Sequence, residues 1–240
     1  MSALVVVGSV RGAPGVTTAS LLIAGAIERS LLVEADVSGG VLAARYGLGR
    51  EPGLTTLAAE PSAEHRGQEH AQSAGGVALL VGPDAPDAAE ALWRSAGPRL
   101  GTALTGCDAD LVVADLGRLG RRSPLMGDAD LIVLVARPTI EQLVTLSHHV
   151  PRLRGISRAR IGIVLTGRGP YRSEDVADAL QVEVLGELPD DPAAADALSG
   201  ARSSGWSRSR LARASIGLAD TVARAARVQR TFASTEVVPS

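Results

Sequence analysis

Three short segments carry residue types and spacings suited to an anionic ligand and a divalent cation. The first runs Gly8-Ser9-Val10-Arg11-Gly12-Ala13-Pro14-Gly15-Val16-Thr17-Thr18. An apolar run, Ala3–Val7, precedes it, and a helical pattern, Thr17–Arg29, follows. Strand, glycine-rich turn and helix in that order build an anion cradle, because free backbone N–H groups and the helix N-terminus face the turn. Gly12 and Gly15 permit positive φ and close approach to a phosphate. Thr17 or Thr18 can reach Mg²⁺ and cap the helix. Pro14 has no N–H to donate. The usual phosphate loop ends Gly-Lys-[Ser/Thr], whereas this one ends Gly15-Val16-Thr17. The charge that handles the β- and γ-phosphates is missing. The competing reading is an ordinary strand–turn–helix connection.

The second segment is Leu31-Leu32-Val33-Glu34-Ala35-Asp36-Val37-Ser38-Gly39-Gly40. Two carboxylates two residues apart at a strand end share one side and face the crevice where α/β sheets bind ligands. One can orient a water and the other approach a metal shell. An acidic pair fixing a turn is the bland alternative. The third is Asp110-Leu111-Val112-Val113-Ala114-Asp115-Leu116-Gly117. An apolar strand ending in Asp115 suits the outer shell of Mg²⁺, and Gly117 lets the backbone approach a γ-phosphate.

These residues need a frame. Apolar runs at 3–7, 31–35, 77–81, 110–114, 131–136, 161–165 and 182–185 are nearly continuous, as in parallel strands covered on both faces. Helical patterns at 17–29, 86–100, 139–154 and 173–180 lie between them. The alternation predicts an α/β fold, a doubly wound, mostly parallel sheet. Residues 60–76 read as a mobile loop or short helix. From Pro189 the pattern is helical and Arg-rich. We expect one domain over 1–231 and a flexible tail over 232–240.

Composition narrows the class. The chain has 240 residues, 45% of them hydrophobic but only 2% aromatic, so the core must be mainly aliphatic. All 24 basic residues are arginine. Lysine avoidance of this kind accompanies GC-rich coding and offers a compositional reason for the missing loop lysine. A net charge of −2 argues against a general grip on nucleic acid. The single cysteine, Cys107, rules out an internal disulfide. No apolar stretch reaches the roughly 18 residues needed to span a bilayer, and the expected location is the cytoplasm, with peripheral attachment at a membrane or pole as an option.

Other polar residues read as structural. His148 and His149 are adjacent on a helix and point about 100° apart, which does not make a two-histidine metal face. His65 and His70 are expected to be exposed, and Cys107 to be inert packing. Arg118, Arg121 and Arg122 read as a solvated loop. Arg202, Arg208, Arg210, Arg213, Arg224, Arg227 and Arg230 accompany Leu211, Ile216, Leu218, Val222 and Val228 at helical spacing. The pattern suits a helix packing on the sheet with solvated arginines, or a surface for DNA or membrane.

Taken in order, the three segments resemble the MinD/ParA family of deviant Walker ATPases over roughly residues 1–225. The family loop reads Lys-Gly-Gly-x-Gly-Lys-Thr-Thr, and Arg11-Gly12-Ala13-Pro14-Gly15-Val16-Thr17-Thr18 is similar to it. Glu34-Ala35-Asp36 resembles the family's Asp-x-Asp, and Leu111–Asp115 its Walker B strand. Ala129–Val135 with Pro138-Thr139 is similar to the next strand and helix start. Leu185–Asp191, with Pro189, resembles the late strand and loop near the adenine. The resemblance implies ATP and Mg²⁺ as cofactors, an ATP-dependent homodimer, and a lysine that reaches the partner's phosphates. That lysine is here Arg11. The loop lysine is Val16, the middle glycine is Ala13, and the adenine-contacting Asn is Thr166. Degenerate loops also occur in the family's TadZ/CpaE-like branch, which positions pilus-assembly systems and usually carries an N-terminal receiver-like domain. This chain starts at the first strand and resembles a minimal version.

Three readings follow. The first is a dimerising scaffold with a vestigial site, positioning a pilus, division or partition machine through an unidentified protein partner. The second is an ATPase using Arg11 in place of lysine, with Asp36 orienting water and Thr17, Glu34 and Asp115 serving Mg²⁺. The third is a DNA- or membrane-binding module acting through the basic C-terminal region.

Overall fold

The computed structural model describes residues 1–12, 15–60, 66–120, 124–198 and 208–235, the last eight as backbone alone. β1 (Ala3–Ser9) is buried at every position. Leu4 and Val6 join one apolar cluster and Ala3, Val5 and Val7 the other, so each face of the strand meets a helical layer. This two-sided burial is why the run is continuous rather than alternating.

α1 (Val16–Gly25) returns the chain to β2 (Ser30–Glu34). Two short helices follow, α2 (Leu42–Tyr46) and α3 (Leu54–Ala59), then a 3₁₀ turn, Gly67–His70. β3 (Gln72–Ala74) and β4 (Val77–Leu80) form a small hairpin, and α4 (Pro86–Gly106) leads to β5 (Leu111–Arg118). The second half alternates β6 (Leu131–Ala136), α5 (Ile140–Ile156), β7 (Arg160–Thr166), α6 (Ser173–Leu180) and β8 (Glu183–Leu188). α7 (Pro192–Leu198) and α8 (Arg210–Thr235) end the described chain.

The sheet order is β3-β4-β2-β5-β1-β6-β7-β8. Every neighbouring pair is parallel except β3 with β4. β1 sits centrally, with β5 on one side and β6 on the other, so chain progression reverses beside it. That reversal opens the ligand crevice of such sheets at the strands' carboxyl ends, where the segments after β1, β2 and β5 converge.

The doubly wound sheet matches the expectation. Three local features differ from it. α2 and α3 are too short to show helical periodicity. Within 66–76 the chain forms a 3₁₀ turn and the antiparallel edge strand β3, which the polar composition concealed, whereas 61–65 lie outside the described residues. The basic region forms α8, with Leu211, Leu218 and Val222 buried and Arg210, Arg213, Arg224 and Arg227 exposed. Arg208, just before it, is exposed, and so is Ile216, expected on the packed face but turned to the opposite side of the helix. Arg202 lies outside the described residues, as does the Arg230 side chain. The backbone of 232–235 continues α8, and 236–240 lie outside the described residues. Among the described residues no helix is long and apolar enough to cross a membrane.

Candidate functional site

The loop after β1 ends at Gly15, which is left-handed (φ 105°) and precedes α1 without a side-chain cap. Such a φ is open to glycine and strained for other residues. Val16, first residue of α1, turns its side chain inward. It is 6% exposed and belongs to the apolar cluster that includes Val5, Val7, Ala19 and Val133. Packing thus occupies the position from which a lysine would serve phosphate. Ala13 and Pro14 lie outside the described residues.

Gly12 has positive φ (72°) and is exposed. Arg11 is exposed too, and its Nη1 lies 3.5 Å from Thr145 Oγ1 on α5. The Glu141 carboxyl on the same helix is held below its usual value by its own backbone N–H, by the Thr139 hydroxyl and by the Arg11 charge. Arg11 is therefore oriented toward α5.

A buried acidic cluster lies beside the loop. Asp115, 3% exposed, ends the core segment of β5 and pairs in register with Glu34 of β2. It accepts hydrogen bonds from the Thr17 hydroxyl and, at 3.0 Å, from the Gly117 N–H. Burial pushes its pKa up to about 6 against these two bonds, with Asp36 and Glu34 adding repulsion. Asp36 caps its own turn by accepting from Ser38 N–H at 2.8 Å, and it lies against Gly117.

Glu34 is committed locally. One oxygen accepts from the N–H groups of Val41 (2.5 Å) and Leu42 (2.7 Å), the other from Gly82 (3.1 Å). The carboxylate anchors the start of α2 and the turn after β4. Glu34 and Asp36 thus do different work: Glu34 binds backbone, and Asp36 lies against Gly117 at the end of β5.

On the other side of the loop is a cavity of about 270 Å³. Four sequence-predicted residues line it together: Gly15, Thr18, Thr166 and Pro189. Thr166 is buried, and its hydroxyl lies 3.5 Å from the Ala136 carbonyl oxygen. Asp190, from the segment expected near the adenine, also lines it, with Arg137, which was unforeseen in the sequence; their charged groups lie 3.6 Å apart. The available signal was an arginine at the end of an apolar strand, in Ala136-Arg137-Pro138.

The donor set fits ATP and Mg²⁺ in part. The cavity, Gly15 and Thr18 suit a nucleoside beside a helix N-terminus, and Asp115 with Thr17 suits the shell of a cation. The phosphate charge is poorly matched, because Val16 is apolar and buried and Arg11 is turned to α5.

The remaining singled-out residues are structural. His149 Nδ1 lies 2.9 Å from the Thr145 carbonyl of its own helix, and His148 is exposed. His70, expected at the surface, is only 14% exposed, because its Nδ1 bonds the Thr56 hydroxyl at 2.9 Å. Cys107 is buried, 3.3 Å from the Ser2 hydroxyl, and burial pushes its thiol pKa up. Arg118 is exposed at the end of β5; Arg121, Arg122 and His65 lie outside the described residues.

No protein-family model and no curated protein sequence matches the chain. Solved structures do. The cell division ATPase MinD of Pyrococcus furiosus superimposes with a TM-score of 0.77 at 20% identity, over 93% of this chain and 99% of that one. MinD of Pyrococcus horikoshii, complexed with Mg-ADP, gives 0.74 at 20% identity over 95% and 99%. A ParA-family ATPase of Chlorobium tepidum gives 0.72 at 16% identity over 91% and 97%. The chain has the MinD/ParA-type P-loop fold along nearly its whole length.

Proposed function

We propose that this chain is a degenerate member of the MinD/ParA family: a dimerising scaffold that positions a cellular machine and hydrolyses ATP weakly or not at all. The observation that carries the reading is Val16, locked into the core where a phosphate-handling lysine would stand. Charge-assisted hydrogen bonds are worth about 1.5–3 kcal/mol each. Losing them weakens ground-state binding and removes charge stabilisation during phosphoryl transfer. The structural neighbours include a cell division ATPase and a plasmid partition protein, which favours spatial organisation as the setting.

A second copy of the chain is the partner that the exposed surface favours. Ile140 and Val144, four residues apart on α5, are 51% and 49% exposed. Arg11 and Glu141 border them with opposite charges, a mixed apolar and charged patch that suits a self-complementary contact between two copies. The machine being positioned (pilus or secretion, division, or partition) is reached through a further protein partner. α8 buries Leu211, Leu218 and Val222 on the body of the protein and leaves Ile216 exposed, which leaves little apolar surface for a membrane.

The test is ATP turnover by the full chain with an Asp36→Ala control, alongside sedimentation of the wild type and Ile140→Asp. The proposal expects equal background turnover in both proteins and weaker self-association of the α5 variant. Asp36-dependent hydrolysis would instead favour the ATPase that relies on Arg11.

A further inference from the structure

The cavity between the carboxyl ends of β6, β7 and β8 carries more information than a degenerate phosphate loop implies. Its walls are mainly apolar and include the rings of Pro189 and Pro192 with Leu188 and Leu211. Its polar side chains are few: Thr18, Thr166, Arg137, Asp190 and Asp191. An apolar slot with a small convergent polar set suits a flat heteroaromatic ring.

Arg137 and Asp190 are placed deliberately with respect to each other. Arg137 Nη2 lies 3.6 Å from Asp190 Oδ1, with side chains 41% and 54% exposed. The Asp190 carboxylate is seated over Gly167, where a Cβ would come within 2.7 Å of its oxygen. Gly167 has φ 71°, so the backbone there both reserves the space and adopts a turn disfavoured for other residues. A half-exposed ion pair of this length adds little to stability, and a ligand can separate its partners at small cost.

We infer that Arg137 and Asp190 form the base-recognition pair of this cavity and that they read a purine in favour of guanine. Guanine presents two adjacent acceptors, O6 and N7, which match a guanidinium fork. It also presents two adjacent donors, N1–H and N2–H₂, which match a carboxylate. Adenine offers neither doublet: its N6–H₂ donor sits between single acceptors. Both bases can use the Thr166 hydroxyl, so the discrimination resides in the charged pair. The inference rests on the reading of a retained but altered nucleotide site and specifies what that site holds.

Guanosine and adenosine, without phosphates, separate this inference from the question of hydrolysis, since Val16 and Asp36 play no part in their binding. Calorimetric titration of the full chain should show guanosine binding at least about tenfold more tightly than adenosine. Arg137→Ala and Asp190→Asn should each bring the two nucleosides within about threefold of each other, with thermal melting unchanged because both side chains are half-exposed. Arg137→Lys should lose most of the preference as well, since a point charge lacks the fork. Equal affinity, a preference for adenosine, a guanosine preference surviving in both variants, or no binding of either nucleoside at millimolar concentration would each overturn the inference. Asp36-dependent ATP hydrolysis would sink the scaffold reading and leave this one standing.

Discussion

The carboxylate of Asp36 rests against the Cα of Gly117, in the space a β-carbon would take. The contact ties the turn after β2 to the end of β5, and so links Asp36 with the segment carrying Asp115. Gly117 also has positive φ (56°). Two independent constraints therefore select glycine here.

Gly117→Ala should lower stability by about 2–4 kcal/mol, combining the left-handed backbone cost with steric overlap. Urea unfolding of Gly117→Ala, Asp36→Ala and the double variant forms a cycle. Asp36→Ala should recover about 1–2 kcal/mol of the loss, because it removes the overlap and leaves the backbone cost. Strict additivity would show that the two residues do not meet in solution.

Val16→Ala should cost about 1.5–3 kcal/mol, from two buried methyl groups and the cavity left behind. A loop residue facing solvent would cost almost nothing. A loss under about 0.5 kcal/mol would place Val16 outside the core.

Asp115 makes stability depend on pH in a defined direction. Its folded pKa of about 6 lies above the ordinary 3.8. Between those values the folded state holds a proton that the unfolded chain has released. Its contribution is therefore fully present below pH 4 and is lost as pH rises through 6. The loss amounts to about 3 kcal/mol at pH 8. Asp115→Asn should accordingly be more stable than wild type at pH 8, with the gap closing toward pH 4. Denaturant midpoints at several pH values check this, and a pH-independent gap would contradict it.

Glu34 serves three backbone N–H groups, and truncation strands all of them. Glu34→Ala should cost about 3–5 kcal/mol, and Glu34→Gln, which keeps acceptor capacity on one atom, clearly less. Mg²⁺ should not change either figure. A metal-dependent stability difference would mean that Glu34 holds a cation rather than the fold.

Much of the architecture was legible because two-sided burial writes continuous aliphatic runs. β1, β5 and β6 were visible for this reason, and so was the helix–strand alternation. α2, α3 and β3 were not, because five-, six- and three-residue elements carry too little periodicity. Within the site, Gly15, Thr18, Thr166 and Pro189 line one cavity, since each lies beside a strand end or the start of α1. The division of labour between Glu34 and Asp36 was hidden. Spacing places both carboxylates near the crevice, but it does not reveal that the N–H groups of Val41, Leu42 and Gly82 converge on the first. Arg137 escaped notice because its partner Asp190 is distant in sequence.

The most direct test of the central claim is calorimetric titration of the full chain with ATP and Mg²⁺. The absence of a phosphate-handling charge at Val16 predicts no saturable binding, or a Kd weaker than about 100 μM (about −5.5 kcal/mol). Saturable binding at low micromolar concentration or tighter, dependent on Mg²⁺, would contradict it.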